Sequence, residues 1–350
     1  MDQKLKVIMT AGGLMKKCLF TFRFGDMARF LPDLPGMLKA HEIELVVSLL
    51  GRNHTEDELI SKLADVDAVI AGVDPFTPRV MDSAKKLKII ARAGVGFDNV
   101  DLAAATVRGI YVTWTPIPEL GKAVADETFT LILSVLRRVP LLDRHIREGG
   151  YDTEKMASLV SDAFPLTLGI IGLGKIGVEV ARRARGFEMK VLYHDQFRRQ
   201  DLEKDWNLHF STLDELLSKS DIVTIHTNLT AETRGLIGKR EISLMKNTAI
   251  MINTARGPII QEEPLFDALS EGRLGGAGLS VFSEEPPTTS CRFYKLGDRL
   301  PNVVLLPHIG PGISIRRLLA LTAAQDVIEV LDGRRPKYLL NKDLLAARTA

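Results

Sequence analysis

Two cysteines, Cys18 and Cys291, are all that the 350 residues contain. They form no paired or metal-binding motif, which excludes a disulfide-stapled scaffold and points to a reducing compartment. Charge of one sign is missing too: 26% of residues are charged, yet the formal net charge is +2. Without a strong positive field the chain has no electrostatic footprint for nucleic acid or an anionic membrane. Its basic pairs, Arg137-Arg138, Arg182-Arg183, Arg198-Arg199, Arg316-Arg317 and Arg334-Arg335, are scattered and read as solvated helix faces or ends. No apolar run reaches the ~20 residues of a membrane span. The first residues carry Asp2, Lys4 and Lys6 where a signal peptide has its apolar centre, so a cytoplasmic location is expected. His, Cys, Asp and Glu nowhere group with metal-ligand spacing, and no tandem repeat or low-complexity tract is present.

What is present is a double series of strands and helices. β-branched apolar runs at Lys6–Thr10, Glu44–Leu49, Ala68–Ala71, Ile89–Ala91 and Ile110–Thr113 alternate with helical patterns at Asp26–Ala40, Glu56–Leu63, Pro78–Ala84 and Asp101–Arg108. This alternation predicts a parallel sheet covered on both faces. Two turns, Gly72–Phe76 and Arg92–Asn99, fall at strand ends, where such sheets bind ligands. In the second, backbone N–H groups around Gly94 and Gly96 can form an anion-binding concavity, or the turn can cap the next helix through Asp98 or Asn99. Arg92 can meet an anion or pair with a surface acid, and its local context favours the surface pair. Thr115-Pro116-Ile117-Pro118 is a stiff connection, followed by a long helix at Ala123–Arg138 whose apolar face is broad enough to pack between domains or subunits. Arg144–Asp162 reads as a polar, irregular arm.

The second series begins with LGIIGLGKIG at Leu168–Gly177. An apolar run, a turn with Gly172, Gly174 and Gly177, and a helix opening in that order form a dinucleotide cradle. The glycines admit a tight turn and close backbone approach to a pyrophosphate, and the helix start offers N–H groups to it. Asp195 follows Gly177 by 18 positions, ending the next strand, Lys190–His194. An acid there accepts from a ribose 2′-OH and repels a 2′-phosphate, so NAD is expected over NADP, with Arg198 and Arg199 near enough to soften the preference. Further strands are expected at Asp221–His226, Thr248–Asn253, Gly276–Val281 and Asn302–Leu306, six in all and a complete Rossmann sheet. A helix near Ser314–Leu331 returns to the first domain.

Three of these strands run out into polar residues on the cradle's side of the sheet: Arg256, Glu285 and His308. An arginine fork grips a carboxylate, and a histidine beside an acid exchanges a proton near neutral pH. Together with a nicotinamide they suit the interconversion of a 2-keto acid and its 2-hydroxy acid. Each residue alone also suits a structural role, as a surface arginine, a satisfied loop histidine and a solvated acid. His226 is a candidate for the adenine pocket. Phe76, Phe97 and Trp114 are candidates to touch the variable group of a substrate.

With these residues in view, the chain resembles the D-isomer-specific 2-hydroxy acid dehydrogenases, which include glyoxylate/hydroxypyruvate reductases and phosphoglycerate dehydrogenases. The carriers are Ala93–Asp101, Gly172–Gly177, Met245–Thr248, Asn253–Gly257, Gly276–Pro286 and Pro307–Gly310. The resemblance implies an α/β fold of two domains: a flavodoxin-like substrate domain from 1–118 and 311–350, and a Rossmann NAD-binding domain at 119–310. It implies that Arg256 binds the substrate carboxylate and keto oxygen, that His308 is the general acid/base with Glu285 as its partner, and that Val95 and Gly96 hold the carboxylate through backbone N–H groups. Cofactor contacts are implied at Gly172, Gly174, Lys175, Ile176, Gly177, Asp195, Thr227, Asn228, Thr254, Ala255, Ser280, His308 and Gly310, and the assembly is implied to be a homodimer. The chain departs from the family at Ser280, where an aspartate commonly accepts from the nicotinamide amide; a hydroxyl can still accept, without the charge. It departs also at Asn228, in place of a proline, and at Pro311-Gly312-Ile313. Alternative readings are a phosphite or formate dehydrogenase-like enzyme, and a non-catalytic NAD-sensing corepressor-like protein on the same fold.

Overall fold

The computed structural model describes residues 15–288, 291–295 and 302–343. The chain divides into two compact units, one of Met1–Thr115 with Arg317–Ala350 and one of Pro116–Arg316. These crossings differ by a few residues from those expected at 118 and 311, for local reasons. Arg316 donates to the carbonyls of Pro311 and Ile309, which ties it to the second unit. Thr115 donates its N–H to Gly94 at 3.0 Å and so closes the first.

The first unit holds a parallel sheet of β1 (Lys16–Phe20), β2 (Ile43–Val47), β3 (Ala68–Ala71), β4 (Ile89–Arg92) and β5 (Tyr111–Thr113), in the order β2-β1-β3-β4-β5. This is the flavodoxin-like order, with its switch point between β1 and β3. The interior strands β3 and β4 are buried along their whole length, as unbroken apolar runs in parallel sheets are. The strand expected at Lys6–Thr10 lies outside the described residues. Within them the sheet's first strand is KKCLF, which the sequence reading missed because two lysines lead it. Those lysines keep their charged ends outside the strand, Lys16 on the carbonyl of Leu331 at 2.6 Å and Lys17 on Asp65.

The helix expected over Asp26–Ala40 is two, Met27–Phe30 and Asp33–Lys39. Pro32 divides them: the residue before a proline is driven out of helical geometry, and Leu31 sits at φ −138°, ψ 45°. Thr55 and Glu58 form a reciprocal capping box on Glu56–Leu63. Leu102–Val107 is capped by Asp101, not by Asp98 or Asn99.

The second unit carries seven parallel strands: β6 (Thr167–Ile171), β7 (Lys190–His194), β8 (Leu208–Phe210), β9 (Ile222–Ile225), β10 (Ile250–Asn253), β11 (Gly276–Leu279) and β12 (Val303–Leu305). Their order is β12-β11-β10-β9-β6-β7-β8, a Rossmann sheet extended by one strand. The six-strand expectation omitted β8, whose three residues follow a left-handed Asn207 and are too few to show a period. The long helix is Pro118–Leu136, starting on a proline at its first turn. Its broad apolar face is covered within this unit. Ala125, Phe129, Leu131, Ile132 and Val135 join one cluster with the sheet, and Phe129 stacks on Phe187 at 5.1 Å. The expected irregular arm folds instead as helices Val139–Arg147 and Thr153–Ala157. Among the described residues no helix is long and apolar enough to cross a membrane.

Candidate active site

The glycine turn is shaped by contact. Gly172 has φ +93°, and a Cβ there would lie 2.8 Å from the His226 carbonyl and Thr227 nitrogen. A Cβ on Gly177 would lie 2.1 Å from the Gly172 carbonyl oxygen. Side chains at both positions are excluded by backbone. Gly174 differs: nothing lies within 4 Å of its Cβ position, and it caps the helix Lys175–Gly186. Tight backbone on one side and open space at a helix N-terminus on the other fit a pyrophosphate. Asp195 closes the turn, its Oδ2 accepting the Leu173 N–H at 2.6 Å and its Oδ1 the Phe197 N–H at 3.1 Å. These residues therefore suit a dinucleotide.

Arg198 is held by both oxygens of Glu203 at 2.8 Å, and Arg199 by Asp201 at 2.7–2.9 Å. His226 contacts Thr224 Oγ1 at 2.9 Å beneath the turn, and burial of its ring pushes its pKa down to about 3. Lys175 reaches the Pro116 carbonyl at 3.5 Å, Ile176 packs on the core, and the Asn228 carbonyl accepts from Thr233.

At the end of β10, Asn253 builds the next turn by donating to the Arg256 carbonyl at 2.9 Å and accepting the Ala255 N–H at 3.0 Å. Thr254 meets Thr128 of the long helix, Oγ1 to Oγ1, at 3.1 Å. Arg256 donates to the Ala255 carbonyl at 2.8 Å. Gly257 is required by a close approach: a Cβ there would lie 1.9 Å from the Phe282 carbonyl carbon. The arginine's turn is thus pressed against the exit of β11.

That exit carries Glu285, and the exit of β12 carries His308. His308 Nδ1 and Glu285 Oε2 stand 2.6 Å apart, both partly exposed. A carboxylate only accepts, so Nδ1 carries the proton on the side of Glu285 and Nε2 is the ring nitrogen turned away from it. Glu285 is steadied by the Phe282 N–H, 3.2 Å from its other oxygen. His308 itself is held at φ +49°, a left-handed backbone that is costly outside glycine and persists only where neighbours enforce it. Its N–H donates to the Ser280 carbonyl at 2.9 Å. Ser280 is buried, and its hydroxyl donates to Glu127 Oε1 at 2.8 Å. The same oxygen accepts the Gly310 N–H at 3.2 Å. Glu127, on the long helix, escapes the sequence reading; an acid next to the buried polar Thr128 was the available signal.

The sequence of the second unit decides the family. The pattern described as "D-isomer specific 2-hydroxyacid dehydrogenase, NAD binding domain" matches residues 129–310. The chain belongs to the D-isomer specific 2-hydroxyacid dehydrogenases. It is 43% identical over 299 residues to a glyoxylate reductase of Thermofilum pendens, covering 84% of this chain and 87% of that protein. A glyoxylate reductase of Korarchaeum cryptofilum is 40% identical over 294 residues, 83% and 87% of the two chains. Among solved structures, the TT0316 protein from Thermus thermophilus superposes with a TM-score of 0.82 at 37% identity, over 93% of this chain and 99% of that one. Membership of this dehydrogenase family brings with it a nicotinamide dinucleotide as cofactor.

The first unit, taken by itself, presents the turn with Val95 and Gly96. Arg92 is not the surface pair expected of it. Buried to 3% exposure, it donates to the Ala71 carbonyl at 2.9 Å and to the Gly96 carbonyl at 2.8 and 3.1 Å. Asn99 ties this turn to the Gly72–Phe76 turn by donating to the Asp74 carbonyl at 2.6 Å. Phe76 is fully buried and so is removed from the substrate-contact candidates, whereas Phe97 and Trp114 meet edge to face at 6.1 Å.

Proposed function

We propose that this dehydrogenase reduces a small 2-keto acid, such as glyoxylate or hydroxypyruvate, to the D-2-hydroxy acid with NADH. The observation that carries the reading is the 2.6 Å pair of His308 and Glu285 at strand ends on the same edge of the parallel sheet as the glycine cradle. When bound, the reduced nicotinamide supplies a hydride to the keto carbon. Glu285 holds the Nδ1–H of His308, so the Nε2 proton is the one delivered to the carbonyl oxygen, which completes the hydroxyl. Arg256 is the substrate-carboxylate and carbonyl partner, its rigid fork matching a planar acid and its charge opposing the developing negative oxygen. The Val95–Gly96 turn, braced from below by Arg92, is proposed as an anion-binding turn that offers backbone N–H groups.

NAD is favoured over NADP because Asp195 stands at the ribose end of the cradle and the two arginines that follow are engaged by Glu203 and Asp201. Assembly as a homodimer is also proposed, supported by exposed Val139, Ile146, Tyr151, Leu159 and Phe164 along the arm. NADH and NADPH oxidation measured against a panel of 2-keto acids, with phosphite and formate run in the oxidative direction, tests the reading. Turnover of glyoxylate or hydroxypyruvate with NADH supports it. Turnover of phosphite or formate alone, or NADH binding without any turnover, refutes it.

A further inference from the structure

The carboxylate of Glu127 has no part in the proton transfer, yet it sits at the centre of the strand exits. One oxygen, Oε1, gathers the Ser280 hydroxyl at the end of β11 and the Gly310 N–H two residues beyond His308. Ser280 in turn holds the His308 N–H on its carbonyl. Glu127 is therefore linked to the proposed proton donor by two short bridges, both of which fall on Oε1. A carboxylate so placed, beside a buried serine and itself only partly buried, can still accept through Oε2 from a donor brought to these strand exits.

The dinucleotide's own chemistry brings such a donor to this place. Hydride and proton add to the two atoms of one carbonyl, so the nicotinamide ring must lie beside His308. Its carboxamide carries two N–H donors, and the face of the ring presented to substrate is fixed only if that amide is held. We propose that Glu127 is the acceptor that binds the nicotinamide carboxamide N–H, with Ser280 aiming it by a hydroxyl donated to Oε1. The carboxylate thus comes from the long helix, whereas Ser280 supplies no charge from the strand. This assignment rests on the dinucleotide reading above.

It is tested by equilibrium titration of the full chain with NADH and with its reduced 3-acetylpyridine analogue, which keeps the ring carbonyl but replaces the amide NH2 by a methyl group. The wild-type protein binds NADH the more tightly of the two. Glu127→Gln loses roughly tenfold in NADH affinity, the scale of a hydrogen bond to a charged acceptor, while its affinity for the analogue is nearly unchanged. Ser280→Asp by itself sets two carboxylates side by side and weakens both dinucleotides. Glu127→Gln with Ser280→Asp returns one carboxylate to the pair and regains the preference for NADH. Thermal unfolding of each variant shows whether it is folded. If Glu127→Gln weakens NADH and the analogue alike, Glu127 is a brace for Gly310 and Ser280, and the assignment is overturned. An unchanged ratio with unchanged affinities overturns it equally. Failure of the folded wild-type protein to bind either dinucleotide overturns the cofactor reading itself.

Discussion

Glu285→Gln is the sharpest probe of the proton-transfer pair, because it preserves size and removes only charge and one acceptor. In the native arrangement Oε2 faces His308 Nδ1 at 2.6 Å and Oε1 accepts the Phe282 N–H at 3.2 Å. A glutamine has one oxygen to satisfy both. If the oxygen stays on Phe282, its NH2 faces Nδ1, which must then accept; the imidazole proton moves to Nε2 and the ring is neutral, a poor proton donor. If the amide turns over, its NH2 confronts the Phe282 N–H and two donors oppose each other. Either way a charge-assisted hydrogen bond of about 1.5–3 kcal/mol is lost. Expressed in the transition state, that is a fall in kcat of roughly 10–150-fold. Steady-state NADH oxidation with a 2-keto acid measures it, and NADH titration serves as the control: the variant leaves the Gly172–Gly177 cradle intact, so the dissociation constant is expected to hold. A kcat within about twofold of wild type, with normal NADH binding, would falsify the role of the pair.

Further outcomes follow from the same geometry. Gly177→Ala drives a methyl to 2.1 Å from the Gly172 carbonyl oxygen, costing about 1–3 kcal/mol and lowering the thermal midpoint, whereas Gly174→Ala enters open space and spares stability while weakening NADH binding; equal effects of the two on unfolding would contradict the assigned cradle. Arg92→Met removes the brace under Gly96 and is expected to raise KM for the 2-keto acid about tenfold with NADH affinity retained, apart from some loss of stability; a KM that stays at the wild-type value would show the turn to be irrelevant to substrate. His226 has its folded pKa pushed down from 6.5 to about 3, so the unfolded chain takes up that proton first. Its contribution is complete above pH 6.5 and is lost as pH falls from there toward 3. The thermal midpoint of His226→Asn is therefore expected to fall less steeply than wild type between about pH 7 and pH 4.5, and parallel slopes would refute the account.

Local chemistry carried much of this protein in plain view. Strand-helix alternation, three glycines whose spacing serves one turn, an acid closing the next strand and polar residues at successive strand ends depend on neighbours within a few residues, so they are legible without coordinates. What stayed hidden depended on partners far along the chain. KKCLF becomes a strand because β2 and β3 pair with it, and β8 because β7 does. Arg92 is buried because the carbonyl of Ala71, 21 residues away on the neighbouring strand, joins that of nearby Gly96 in taking its donors, where a lone arginine in sequence suggests a surface pair. Glu127 lies 153 positions from Ser280 and 183 from Gly310. Sequence alone determined that a dinucleotide cradle and an arginine, glutamate and histidine occur on one edge of a parallel sheet. Only the tertiary structure decided that His308 and Glu285 touch, and that the carboxylate beside them comes from a helix, because hydrogen bonds form between neighbours in space.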